Sequence, residues 1–235
     1  MKPIETTGKL PAGTADRQPA GASGRLRVIG ITGGVGAGKS TVLDYLASLP
    51  GVRVEEADRI GHLVMEPGTK AFREIREHFG EEILDVEGRI ARPVLSRLVF
   101  ADREELSWLN GVIHPAVKDW FRQEIRREKE KGALRLFVIE AALLIEDHYE
   151  ELCEEFWYIY TEPEIRRERL RASRGYTDEK IEAIFRNQQT DEGFRARCRE
   201  VIDNSGSPGE TLAQVRALLV KKGLWSERYE GKGDT

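Results

Sequence analysis

Gly33-Gly34-Val35-Gly36-Ala37-Gly38-Lys39-Ser40 fits the pattern G-x-x-x-x-G-K-[ST]. The chemistry such a segment can do is to hold a polyphosphate. Its glycines let the backbone curl so that successive N–H groups face an anion. A helix starting near Lys39 adds its positive N-terminal end. Lys39 can reach the β- and γ-phosphates, and the Ser40 hydroxyl suits a Mg²⁺ ion that bridges them. The segment therefore predicts a nucleoside triphosphate as ligand. By itself it does not separate a GTPase, an ATPase motor and a kinase. The asparagines Asn110, Asn187 and Asn204 stand in no N-K-x-D guanine-reading context, and 235 residues are few for a motor. Small size, a helical insertion and an arginine-rich segment point to a small-molecule kinase.

Other residues could serve the same chemistry. Asp58 closes a β-branched run, where ligands of open α/β sheets sit. It could accept a proton from an attacking hydroxyl or help hold Mg²⁺, or it could cap the next helix. Glu140 ends another run, as a metal-associated or a structural carboxylate. Arg166, Arg167, Arg169, Arg171 and Arg174 crowd one stretch. Most suit a solvated helix face with Glu164 and Glu168 as partners. Arg171 and Arg174, nearest the loop at Gly175, are the better placed to stabilise charge on a transferring phosphoryl group. His114, before Pro115 between two expected helical segments, could be a catalyst, or a structural cap or packing residue.

These side chains need a scaffold. Runs at Val28–Ile31, Val52–Val54, Leu134–Ile139, Phe156–Tyr160 and Val201–Ile202 read as strands separated by helices. Alternating strands and helices predict a parallel sheet covered on both faces. Residues 58–133 carry amphipathic spacing, with Phe72, Ile75, Phe79 and then Val117, Trp120, Phe121, Ile125 on helix faces. Pro93 suits a helical first turn. Thr161 and Glu164 form a T-x-x-E capping signal. The expected domains are a tail at 1–26, a core at 27–57, 134–161 and 198–225, a helical insertion at 58–133 and a lid at 162–197. The tail, and the similarly loose 226–235, have little apolar surface to bury.

Composition sets limits. Lys plus Arg is 37 and Asp plus Glu is 41, a net charge of −4, which disfavours non-specific nucleic-acid binding. No apolar run approaches the roughly 20 residues of a membrane span. Cys153 and Cys198 form no C-x-x-C pair and read as reduced thiols. A cytoplasmic enzyme, monomeric or a small homo-oligomer, is the expectation.

The motifs together resemble dephospho-CoA kinases over about residues 27 to 220. Ile29 through Thr41 is similar to that family's P-loop, including the double glycine. Ala57-Asp58 resembles the end of its D-A-D segment, and Glu66-Pro67-Gly68 its E-P-G turn. Arg92 falls where the family has an arginine opening a helix. Leu109-Asn110-Gly111-Val112-Ile113-His114-Pro115 resembles L-N-x-x-x-H-P, and Leu143-Leu144-Ile145-Glu146 the L-L-[FV]-E segment. Arg174 with Gln188 is similar to its lid pattern, and Asp203-Asn204-Ser205-Gly206 to its D-N-[SG]-G turn. The resemblance implies an α/β P-loop core of three layers with a five-stranded parallel sheet, a helical substrate-binding insertion and a helical lid. It implies that ATP phosphorylates the ribose 3′-hydroxyl of dephospho-CoA, with Mg²⁺. Gly34, Val35, Gly36, Ala37, Gly38, Lys39, Ser40, Thr41 and Asn204 would contact ATP, and Ser40 the metal. Asp58 would be the base, Lys39 and Arg174 would act on the phosphates, and Asp58, Arg92, His114 and Glu146 would hold the acceptor. The chain departs from the pattern at Glu56 and Glu140, where aspartates are usual, and at Ala142, where proline is. Rival readings are a kinase for another nucleoside or nucleotide, and a non-catalytic nucleotide-binding regulator.

Overall fold

The computed structural model describes residues 25–225. The expected tail, except Arg25 and Leu26, and the segment 226–235 lie outside the described residues. Leu26 corrects the tail boundary, because it is buried in the core beside Phe137 and Phe156.

Five parallel strands form one sheet in the order β2-β3-β1-β4-β5. They are β1 (Arg27–Thr32), β2 (Val52–Glu56), β3 (Leu136–Glu140), β4 (Glu155–Tyr160) and β5 (Glu200–Asp203). All five expected strands are present. β1 lies at the centre, so its C-terminal end opens onto the middle of one sheet edge. Strand alternation divides the core in two. Ile29 and Ile31 pack with Val42 and Leu46 of α1 (Lys39–Ser48). Val28 packs on the opposite face with Phe121 and Ile125.

Between β2 and β3 stand α2 (Ala57–Leu63), α3 (Lys70–Phe79), α4 (Arg92–Ala101) and α5 (Arg103–Lys131). Phe72, Ile75, Leu95, Val99 and Leu109 form a separate small core among α3, α4 and the start of α5. Pro93 occupies the first turn of α4. After β4 come α6 (Pro163–Arg174), α7 (Asp178–Arg186) and α8 (Asp191–Arg197), and α9 (Pro208–Lys221) ends the described chain.

Three local expectations are corrected. His114-Pro115 does not divide two helices: α5 runs through Pro115 for 29 residues. Proline removes one helical hydrogen bond. Leu109 is anchored in the insertion core and Val117, Phe121 and Ile125 in the main core, so tertiary packing holds the helix on both sides of it. The Thr161–Glu164 capping box does not form. Pro163 begins α6, Glu162 is the cap position, and the Thr161 hydroxyl donates instead to Ala37 O at 3.0 Å. Among the described residues, a capping box forms instead at Ser207–Glu210 on α9. Finally, the segment 162–197, expected as a helical lid with a loop at Gly175, is broken a second time and holds three helices.

Cys153 and Cys198 are free and buried. Burial pushes both thiols up, Cys198 to about 12. That leaves on the order of a thousandfold less thiolate than an ordinary cysteine at neutral pH. The native protein is therefore expected to resist a disulfide reagent at pH 8 and to titrate two thiols once unfolded in urea. Prompt reaction of the native chain would contradict the buried placement.

Candidate active site

The P-loop leaves β1 at Gly33 and curls into α1. Gly36 and Gly38 adopt φ of 84° and 76°, a left-handed backbone that favours glycine. A Cβ on Gly38 would also fall 2.5 Å from Asn204 Nδ2. The N-terminus of α1 has no side-chain cap and no acidic residue in its first turn. It therefore presents an uncompensated positive end to an anion. Gly34, Val35, Gly36, Gly38, Lys39, Ser40 and Thr41 line a cavity of about 760 Å³ over this end. Ala37 is turned inward and buried, its carbonyl accepting from Thr161 and from Asn204.

Lys39 Nζ donates to Gly33 O at 2.9 Å and lies 3.4 Å from Glu140 Oε1. Glu140, opposite Glu56 in the β2–β3 register, is buried. Burial pushes its carboxyl above the usual carboxylate range, Lys39 pulls it back, and Asp58 and Glu56 push it up again. Glu56, Asp58 and Glu140 all line the cavity. Side-chain alternation explains the split at the end of β2. Glu55 is buried with Arg53, which also binds Glu124 and Glu128 at 2.9 Å each. Glu56 points the other way, into the site.

A second cavity of about 370 Å³ lies beside the first, lined by Asp58, Gly61, His62, Met65, Ile113, His114 and Asp147 among others. Asp58 and Ala142 line both cavities. Asp58 is in the first turn of α2, behind the cap position Glu56, so it is not the helix cap. His114 Nδ1 lies 2.9 Å from Asp147 Oδ2. Sequence reading missed Asp147. It named Glu146, which is exposed and lines neither cavity. Arg92 is exposed and lines a third, small cavity of about 160 Å³ with His62, Met65, Glu66, Asp85, Arg89 and Ile90. His62 and Met65 border the second and third cavities alike.

The arginines of α6 separate by partner. Arg167 pairs with Glu182 at 2.6 Å, and Arg171 Nε donates to Asp178 at 2.8 Å. Arg169 and Arg174 line the first cavity. Arg169 Nη2 donates to Asn204 O at 2.9 Å, and Arg174 lies beside Tyr176, 5.9 Å from its ring centre. Asn204 is buried, and its amide is spent on the loop: Nδ2 donates to Ala37 O at 2.7 Å while Oδ1 accepts from Thr211 at 2.8 Å. It shapes the cradle from beneath.

Comparison with known proteins gives the arrangement its family. A family model described as dephospho-CoA kinase matches residues 27–210. The chain belongs to the dephospho-CoA kinase family. Members of this family are kinases, transferases with ATP as phosphoryl donor. A dephospho-CoA kinase of Carboxydothermus hydrogenoformans is 36% identical over 196 residues, covering 83% of this chain and 94% of the relative. One from Thermobifida fusca is 36% identical over 187 residues, covering 80% and 92%. Among solved structures, a Thermus thermophilus protein superposes with a TM-score of 0.66 at 31% identity, covering 84% of this chain and 98% of that one. Dephospho-CoA kinase from Campylobacter jejuni superposes at 0.63 and 23% identity, with the same coverage, and shows the shared fold.

Proposed function

We propose that the chain transfers the γ-phosphoryl group of ATP to the ribose 3′-hydroxyl of dephospho-CoA, giving CoA and ADP. The observation that carries the reading is Asp58, the carboxylate shared by the triphosphate cavity and its neighbour. ATP would lie along the P-loop with its phosphates on the N-terminal end of α1. The acceptor would fill the second cavity, its hydroxyl at Asp58 and its remaining length running past His62 and Met65 toward Arg92. His114, oriented by Asp147, would hold it from α5. Asp58 takes the hydroxyl proton, the oxygen bonds to the γ-phosphorus, and the bond to ADP breaks. Lys39 and Arg174 offset the charge that develops. Catalysis is then mainly positioning and charge neutralisation, in a site from which the lid excludes water.

Mg²⁺ fits the donor set. The Ser40 hydroxyl and the carboxylates Glu56, Asp58 and Glu140 line one cavity. No cluster of His, Cys, Asp and Glu among the described residues could hold a metal ion by itself. That matches an ion held largely by substrate phosphates and water, with one or two protein oxygens. When bound, it would neutralise phosphate charge. A cytoplasmic setting and a monomer or small homo-oligomer belong to the same reading. No helix among the described residues is long and apolar enough to cross a membrane.

A coupled ADP-release assay tests the function. Turnover is expected with ATP and dephospho-CoA, and its loss on chelating Mg²⁺. Silence on dephospho-CoA with turnover of a different nucleoside or nucleotide would transfer the reading to that acceptor. Tight ATP binding with no phosphorylated product from any acceptor would make the chain a regulator.

A further inference from the structure

Arg166 is a lid arginine that, among the described residues, neither lines the nucleotide cavity nor meets an acid, yet is not left on an exposed face. Arg167 and Arg171 have carboxylate partners, but among the described residues Arg166 forms no ion pair. It is half-buried, and burial pulls its guanidinium below the ordinary arginine range. A part-buried cation without an anion is unfavourable unless its hydrogen bonds are met. They are met on the P-loop. Nε donates to Val35 O at 3.1 Å, and Nη2 donates to Gln188 Oε1 at 2.7 Å. The guanidinium lies over Phe185, 4.3 Å from the ring centre. Gln188 Oε1 in turn accepts from Val35 N at 3.3 Å.

The Val35 peptide is thus gripped at both ends: Arg166 takes its carbonyl, Gln188 takes its N–H, and the two side chains bond to each other. Gly34 shows how close the grip is. A Cβ there would fall 2.3 Å from Arg166 Nη2. The gripped segment, Gly34 to Gly36, is one wall of the triphosphate cavity. Arg166 sits on α6, and Gln188 lies between α7 and α8. The clamp therefore joins two separate parts of the lid segment to the loop that must curl around phosphate.

We propose that Arg166 and Gln188 are positioning residues for the phosphoryl donor. They fix the Val35 peptide, hold the tip of the P-loop in its anion-accepting curl before ATP arrives, and couple the lid to that loop. Pre-forming the loop lowers the cost of ordering it on binding, so the contribution falls on ATP affinity rather than on the chemical step. Arg166 also keeps an unneutralised charge behind the loop, available to the anion through it.

The kinetic consequence rests on the kinase reading; the clamp itself does not. Amide exchange at Val35 in the ligand-free protein, read with the KM for ATP and kcat, separates the two. Gln188→Ala is expected to speed exchange at Val35 about tenfold and to raise the KM for ATP about tenfold, with kcat and the KM for dephospho-CoA within about threefold. Gln188→Glu, whose carboxylate can accept the same two hydrogen bonds, is expected to keep Val35 protected. Arg166→Met is expected to match Gln188→Ala; if it fails to fold, the glutamine pair still decides. Unchanged exchange in Gln188→Ala would overturn the clamp, whatever the activity. Faster exchange with an unchanged KM for ATP, or a fall in kcat alone, would overturn its role in positioning the donor. Faster exchange in a protein silent on dephospho-CoA would leave the clamp standing and remove the acceptor reading instead.

Discussion

A Lys39→Met variant is expected to remain folded and to lose about 10²–10³ in kcat, the scale of one preorganised charge removed from a transferring group. Methionine keeps the length and apolar stem of lysine and removes its charge. The geometry also predicts a side effect. Lys39 lies 3.4 Å from Glu140, whose carboxyl is already pushed up by burial. Without the lysine, Glu140 is pushed up further. A carboxyl raised in the folded state takes up a proton on folding, so its contribution is present below the ordinary carboxylate range and is lost as pH rises through the raised value. The deficit in thermal stability of Lys39→Met should therefore widen from about pH 5 toward pH 8. Adding Glu140→Gln removes the uncompensated acid and should restore the melting temperature at pH 8. It should not restore turnover. If the double variant recovered activity together with stability, Lys39 would be a structural counterion of Glu140 and its role on phosphate would be wrong.

The core of the fold was legible for a physical reason. A parallel strand covered on both faces must be apolar nearly throughout, and Leu136–Ile139 and Phe156–Ile159 are. The P-loop was legible because its glycines answer a backbone requirement set within eight residues. What escaped the sequence depends on partners distant along the chain. Asp147 sits next to the acid that was chosen, and only the turn after β3 decides which of the two faces His114, 33 residues away. Thr161 has a local use as a helix cap and a remote one on Ala37, and Pro163 tips the balance toward the remote one. Pro115 is a local helix breaker overruled by two cores that grip α5 on either side. Arg166 looked like one of several surface arginines because its partner Gln188 lies 22 residues on. The absence of an acid beside it is visible only in the folded chain. Asn204, expected to contact ATP, lines the cavity, while its amide serves the underside of the loop.

Asp58→Asn is expected to lower kcat by about 10²–10⁴, the span of a positioned general base, while the KM for ATP changes little. Asparagine has nearly the same shape but cannot take the proton. The structural cost is small. Asp58 is exposed and follows the cap position of α2, so the change forfeits only a charge near a helix N-terminus, about 0.5 kcal/mol. A large kinetic loss at nearly constant melting temperature would then report chemistry, since α2 does not depend on this side chain for its start. Asp58 could instead act by holding Mg²⁺, and the two roles differ in what they shift. Loss of a base lowers kcat and leaves the Mg²⁺ dependence in place. Loss of a metal ligand raises the Mg²⁺ concentration needed for half-activity and lets excess metal recover turnover. Asp58→Glu sharpens the distinction: the carboxylate survives but moves outward by one methylene at the junction of the two cavities, so a base is misplaced while a metal held through water is tolerated. Turnover near wild type in Asp58→Asn would sink the assignment, and with it the argument that the carboxylate shared by the two cavities marks where the phosphoryl group crosses.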